Sequence, residues 1–196
     1  MPAMTAALRH PDTDSFLAAL DAAGPVVVAV MVSSVDGRAT IGGRVGGLTG
    51  PADQRVLLGV RERAGAVLVG ARTVAVEGYD RLLGDAARAR RTAEGLAPEP
   101  ELVVFSRASP PLPELLGELR ARHPDRPVAC EGGPTLLGRL VEARLLDQLV
   151  LCLSPRIVAD ETQRRLLNPP RPLGVELELL ATAASDSFLF LRYGLR

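Results

Sequence analysis

The residues of this chain best suited to chemistry stand where apolar runs end. Glu131-Gly132-Gly133 follows the run that closes on Cys130 and leads into Pro134-Thr135. Gly70-Ala71-Arg72-Thr73 follows AVLV, Ser106-Arg107 follows ELVVF, and Ser33-Ser34-Val35-Asp36-Gly37 ends VVVAVMVS. Glycines just ahead of a helix let backbone N–H groups approach an anion closely, and the helix dipole favours negative charge there. Gly132-Gly133 with Thr135 therefore reads as a pyrophosphate seat, and Gly70 with the Thr73 hydroxyl as its second wall. Ser106-Arg107 supplies a hydroxyl and a guanidinium, a pair suited to a phosphate monoester through charge-assisted hydrogen bonds. Two phosphate seats plus a monoester clamp suit NADPH better than NADH.

Each group also has a plainer structural reading. A Gly-Gly before a helix makes a tight turn, and Ser-Arg after a strand makes a solvated one. Glu131 either caps backbone N–H groups near the helix start, where its charge is favourable, or takes part in catalysis. Asp36 either orients a substrate and steadies a developing positive charge or, with Gly37, simply makes a turn. The case for a nucleotide site rests on all four groups falling at equivalent strand ends, where ligands collect in open α/β sheets.

The elements that must position these residues follow from local pattern. Residues 1–11 read as a tail, and Asp12-Thr13-Asp14 can cap a short helix, SFLAALDAAG, that Gly24 ends. Residues 1–24 thus form an N-terminal appendage, and 25–196 a single domain. Val26–Ser33 is continuous and β-branched, which predicts a buried strand. After the glycine-rich GGRVGGLTG, Pro51 opens the helix PADQRVLLGVRERAG. Strands are expected at 66–70, 101–106, 126–130 and in DQLVLCLSPRIV, with helices in LPELLGELRARH and GPTLLGRLVEARLL. The Ala/Arg/Pro-rich stretch 84–100 reads as a connector. GVELELLATAASDSFLFLRYGLR alternates on both sides of a small-residue turn, as a hairpin does. The fold class is α/β, with a mainly parallel mixed sheet flanked by helices and an antiparallel C-terminal hairpin.

Composition narrows the options. With 196 residues, 47% of them hydrophobic, the chain is long enough for one domain with a sizeable core. Zero formal net charge and 3% aromatic residues offer nothing to nucleic acid. All 23 basic residues are arginine, so a Schiff-base or phosphate-binding lysine is excluded. Cys130 and Cys152 lie in apolar runs without metal-ligand spacing, which predicts buried, reduced thiols, no metal site and a cytoplasmic protein. No apolar run is long enough for a membrane helix, and the N-terminus lacks a signal-peptide pattern. His10 and His123 lie away from every motif and read as solvated surface residues.

Set in order, SSVDG, LVGARTV, CEGGPTLLGRLVEARLLDQLVLCLSP and FLFLRY resemble the RibD C-terminal domain family, the pyrimidine reductases of riboflavin biosynthesis. The resemblance spans about Val26 to Tyr193 and is most specific from Glu131 to Pro155. It implies a dihydrofolate-reductase-like fold of eight or nine strands, a homodimer, and NADPH-dependent reduction of a phosphorylated substrate. The substrate would be 5-amino-6-(5-phosphoribosylamino)uracil or its diaminopyrimidine precursor, its ribosylamino group becoming ribitylamino by hydride transfer. Carried over by position, Gly70, Thr73, Ser106, Arg107, Glu131, Gly132, Gly133 and Thr135 would hold the cofactor. Ser33, Asp36 and Arg38 would face the pyrimidine, with Asp36 the catalytic candidate. Asp80 or Arg81 would lie near the sugar phosphate, although EGYDRL matches the family's acidic-x-Pro-x-Leu run only loosely.

Two departures stand out. The family commonly has two strand-like segments between the third strand and the EGG box, where this chain offers one helix, so the adenine side of the site is expected to be abbreviated. No zinc deaminase signature is present. The rivals are a same-fold reductase of a pteridine or dihydrofolate and a non-catalytic nucleotide-binding relative. Against dihydrofolate reductase, the chain has no Trp, and LTGPADQRVLLGVR carries Asp53 as its only early acid.

Overall fold

Strand β2 (Val27–Ser33) is buried along its whole length, as its unbroken apolar sequence requires. Val28, Val30 and Val32 face one core, and Val27, Ala29 and Met31 face the other. The computed structural model describes residues 8–10, 12–18, 20 and 24–196. Within them lie β1 (Leu8–Arg9), α1 (Thr13–Ala18), α2 (Pro51–Arg63), β3 (Ala66–Gly70), α3 (Ala71–Glu77) and α4 (Asp85–Ala93). They continue with β4 (Glu101–Phe105), α5 (Leu112–Arg122), β5 (Val128–Cys130), α6 (Pro134–Glu142), β6 (Gln148–Leu153), β7 (Leu177–Ser185) and β8 (Phe188–Leu195).

The strands form one eight-stranded sheet in the order β1-β7-β8-β6-β2-β5-β3-β4. Pairs from β6 through β2, β5 and β3 to β4 are all parallel, and β8 is antiparallel to both β6 and β7. The mixed sheet with its C-terminal hairpin is the architecture expected from the sequence. The hairpin turns at Asp186 and Ser187, both with positive φ. One face is covered by α1 and α2 through Phe16, Leu17, Val56 and Val60. The other is covered by α5 and α6 through Leu115, Leu116, Leu119, Leu137 and Leu140. Asp147 locks this arrangement at the strand starts: it accepts the Val27 N–H at 2.7 Å and pairs with Arg120 of α5 at 2.7 Å.

Two local expectations are corrected. The tail assigned to 1–11 contains β1, whose Leu8 and Arg9 pair in parallel with Ala181 and Thr182; residues 1–7 and 11 lie outside the described residues. The connector assigned to 84–100 contains α4. Its Ala/Arg composition favours helix without writing an apolar stripe. What anchors it is a buried guanidinium: Arg91 donates to the carbonyls of Glu62, Ala64 and Ala97 at 2.6, 2.8 and 2.9 Å. Elsewhere, Asp12 caps α1 by accepting the Ser15 N–H at 2.7 Å. A single helix, α5, joins β4 to β5. Both cysteines are buried and unbridged. His123 is no free surface residue, because its Nε2 lies 2.8 Å from Glu101 Oε2.

Candidate active site

At the carboxyl ends of β3, β4 and β5 the chain opens into a cavity of about 740 Å³. Gly70, Thr73, Ser106, Arg107, Gly133 and Thr135 all line it, so tertiary structure brings together most of the residues proposed to hold a cofactor. The β3 and β5 loops touch directly, the Gly70 N–H donating to the Gly132 carbonyl at 2.7 Å. A Cβ on Gly133 would stand 2.9 Å from the Thr73 hydroxyl oxygen, so any side chain there would displace that hydroxyl. Gly132 has φ +76°, a conformation open to glycine, and lies buried behind the rim. Ser106 Oγ is engaged in its own turn, accepting the Ala108 N–H at 3.2 Å.

The charge of this cavity is one-sided. Arg72, Arg107, Arg139, Arg164 and Arg165 line it, no acidic residue does, and none of the five makes an ion pair among the described residues. Arginines elsewhere are neutralised, as in Arg90 with Glu62 and Arg122 with Glu101. Unpaired guanidiniums around glycine-rich backbone make a receptor for a polyanion with several phosphate groups. The residues present therefore fit a phosphorylated dinucleotide.

Arg164, Arg165 and Asn168 reach the cavity because the segment after β6 folds over the start of α6. Asn168 N–H donates to the Pro134 carbonyl at 3.1 Å. Gly138 permits this approach, since a Cβ there would meet the Asn168 carbonyl oxygen at 2.6 Å. Gln163 and Arg164 are tied to the loop after β2 through Thr40 and Gly43.

A second cavity of about 360 Å³ adjoins the first and shares Arg72, Thr73, Gly133, Pro134 and Arg164 with it. Its wall includes Val30, Val32, Leu57 and Asp53, with buried Glu131 and half-buried Arg61 and Tyr79 forming a polar group. Arg61 holds Glu131 with two hydrogen bonds, of 2.6 and 2.7 Å, and Tyr79 Oη donates to the same carboxylate at 2.8 Å. Desolvation lowers the Arg61 pKa, yet its hydrogen bonds and charge contact with Glu131 outweigh that and the net shift is upward. Burial and the Glu131 charge push the Tyr79 hydroxyl well above its ordinary value, so it remains a donor. Glu131 consequently does not cap α6: its N-cap is Gly133, without a side-chain cap, and Glu131 lines the smaller cavity.

The residues proposed to face the pyrimidine and sugar phosphate lie outside both cavity linings. Ser33 is buried and donates to the Ser34 carbonyl at 2.8 Å. Asp36 accepts the Ser34 hydroxyl at 2.6 Å and the N–H groups of Val158 and Ala159 at 3.0 and 2.8 Å, which joins two loops. Those bonds, the Ser34 hydroxyl first, hold its carboxyl far below the usual range. Arg38 pairs its backbone with Ser34. Asp80 is exposed, and Arg81 is turned toward the Leu83 carbonyl, Asp85 and Glu99. Sequence reasoning missed Arg61, Arg72, Tyr79, Arg139, Arg164 and Arg165. Arg-Arg in a proline-rich segment was the available signal, and it carries no pattern that distinguishes it from a solvated loop.

The RibD C-terminal domain family model matches residues 25–111 and 109–189. A pyrimidine reductase-like protein from Corynebacterium diphtheriae superposes with a TM-score of 0.81 at 19% identity, covering 94% of this chain and 99% of that one. RibD from Acinetobacter baumannii superposes with a TM-score of 0.65 at 20% identity over 92% of this chain, which spans 61% of that protein. Dihydrofolate reductase from Enterococcus faecalis, solved with NADP(H), gives a TM-score of 0.53 at 10% identity, covering 87% and 96%. The fold is therefore dihydrofolate-reductase-like. No curated protein sequence matches the chain.

Proposed function

This chain belongs to the RibD C-terminal domain family of reductases, and from that premise we propose that it is an NADPH-dependent pyrimidine reductase. It reduces the ribosylamino group of 5-amino-6-(5-phosphoribosylamino)uracil, or of the diaminopyrimidine precursor, to ribitylamino. The observation that carries the reading is the junction of two unlike cavities at Thr73, Gly133 and Pro134. One is lined by unpaired guanidiniums and glycine backbone; the other has an apolar wall with a few fixed polar groups, as small-molecule sites do.

In this reading Gly70, Gly132 and Gly133 admit the pyrophosphate, Thr73 and Thr135 add hydroxyl donors, and Ser106-Arg107 holds the 2′-phosphate. When bound, the dinucleotide supplies the hydride. The chain holds the sugar carbon against it, and such positioning supplies roughly 7–11 kcal/mol of a barrier. Arg72 and Arg164, shared by both cavities, take the sugar phosphate in place of Arg81, whose guanidinium is engaged elsewhere. Asp36 positions the two loops that flank the site and does not touch the substrate.

The reading includes a cytoplasmic homodimer. No helix among the described residues is long and apolar enough to cross a membrane. Val35, Ile157 and Leu189 are exposed large apolar residues on neighbouring segments, a surface suited to a second copy. The test is titration with NADPH and NADH, followed by turnover of the ribosylaminopyrimidines. NADPH-selective binding with product formation supports the reading, and failure to bind either cofactor ends it.

A further inference from the structure

Arg72 and Arg164 are the cations that line both cavities among the described residues. Arg72 stands in α3, but Arg164 lies between β6 and β7, where the chain forms neither helix nor strand. Its place is set by the loop after β2. Arg38 and Arg165 form an antiparallel bridge. Beside it the Ala39 N–H donates to the Arg164 carbonyl at 2.7 Å, and the Leu166 N–H to the Gly37 carbonyl at 3.0 Å.

A regular antiparallel pair would return the Arg164 N–H to the Ala39 carbonyl. Here it donates to the Thr40 hydroxyl instead, at 3.1 Å. The loop turns away at that point: both backbone groups of Ile41 pair with Arg44, at 2.9 and 3.2 Å, across Gly42 and Gly43, which have positive φ. Thr40 is 7% exposed, and its hydroxyl donates to Gln163 Oε1 at 3.2 Å. The same Gln163 oxygen accepts the Gly43 N–H at 3.0 Å. A hydroxyl has one proton to give, so Thr40 has no donor left for a ligand. Its bonds run to the segment that carries Arg164 over the site.

We infer that Thr40 is a positioning residue: its hydroxyl holds the Arg164 main chain where the guanidinium meets the junction of the two cavities, and so sets the preference for a phosphorylated substrate. The inference rests on the placement of the sugar phosphate at Arg72 and Arg164 and goes one step behind it. Arg164 makes no ion pair among the described residues, so no acid holds its guanidinium, and where it reaches follows from its main chain. Without the hydroxyl the Arg164 N–H loses its acceptor and Gln163 loses a donor, which releases both from the loop. A displacement of about 1 Å is enough to spoil a hydrogen bond to an anion. Valine matches threonine in shape, so Thr40→Val removes these two bonds and leaves the packing in place.

Calorimetric titration with the product, 5-amino-6-(5-phosphoribitylamino)uracil, and with its dephosphorylated form tests this without any turnover. The wild type is expected to bind the phosphorylated form at least about tenfold tighter. Thr40→Val should cut that ratio at least about fivefold, while Thr40→Ser, which keeps the hydroxyl, holds it within about twofold. Affinity for the dephosphorylated form should stay nearly constant throughout. Because Thr40 acts through Arg164, adding Thr40→Val to Arg164→Ala should cut the ratio no further than Arg164→Ala alone. A wild type that binds neither form or does not prefer the phosphorylated one overturns the inference. So does a ratio that survives Thr40→Val, equal weakening of both forms, a loss that Thr40→Ser shares, or losses that add in the double variant. If Thr40→Val does not fold, Thr40→Ala, which leaves room for a water beside the Arg164 N–H, is read by the same criteria. Turnover is assayed apart: no NADPH-dependent reduction by a wild type whose binding ratios behave as expected would sink the reductase reading and leave the Thr40 assignment standing.

Discussion

Arg61 in α2 and Glu131 at the end of β5 are 70 residues apart and form a two-armed ion pair, their side chains 13% and 3% exposed. The pair crosses from a helix on one face of the sheet to the loop that carries the two glycines. Removing one partner strands the other charge in the interior, which costs about 3–5 kcal/mol. Glu131→Gln is therefore expected to lower Tm by about 10 °C in this 196-residue chain. Adding Arg61→Met should recover part of the loss. Thermal melts of the two single variants and the double variant measure the coupling, and additive losses would mean that the pair is not the source.

Arg107 carries the monoester assignment. One charge-assisted hydrogen bond contributes about 1.5–3 kcal/mol, so Arg107→Ala should weaken NADPH by roughly one to two powers of ten. NADH, which lacks the 2′-phosphate, should bind almost unchanged. Fluorescence titration with both cofactors gives the ratio, and an equal loss for both removes Arg107 from the clamp.

Arg81 and Arg164 separate the two placements of the sugar phosphate. Arg81→Ala should leave the KM of a phosphorylated substrate within about twofold, because its guanidinium already serves Leu83, Asp85 and Glu99. Arg164→Ala should raise it about tenfold or more and should shrink the preference over the dephosphorylated substrate. Steady-state kinetics with both substrates reads the contrast; the reverse pattern restores Arg81.

Asp36 makes a pH-dependent contribution of defined sign. Its folded-state pKa is depressed by the Ser34 hydroxyl and the Val158 and Ala159 N–H groups. The stability it adds is therefore fully present above the unfolded carboxyl value, roughly 3.9, and is lost as pH falls through the folded value. Asp36→Asn should melt a few degrees below the wild type at pH 7, and the two should converge under strong acid. A constant gap across that range would show that the carboxylate charge is not what joins the loops.

Much of the fold is written locally. Val27–Ser33 reads as a doubly buried strand because every residue is apolar up to its closing serine, and Pro51 and Pro134 mark helix starts because proline lacks only an N–H that is unpaired there anyway. The glycines at 132 and 133 mark tight backbone, since Gly132 has φ +76° and a Cβ on Gly133 would crowd the Thr73 hydroxyl. Helix α4 is less legible, since Arg91 holds it by reaching carbonyls that lie outside its own pattern.

The division between sequence and tertiary structure is clearest at the site. The order of strands and helices, and the glycine-rich turns at their ends, follow from steric and hydrophobic preferences that act over a few residues. The partners of charged side chains do not. Glu131 could have capped a helix and instead turned to Arg61; Arg81 could have faced a phosphate and instead turned to Asp85 and Glu99. Arg164 and Arg165 look like any solvated pair until Asn168 settles on Gly138 and brings them over the cavity. A carboxylate or guanidinium is satisfied by whichever opposite group packing delivers, and packing is set by contacts many residues apart, so only the folded chain decided which charges were left free for a ligand.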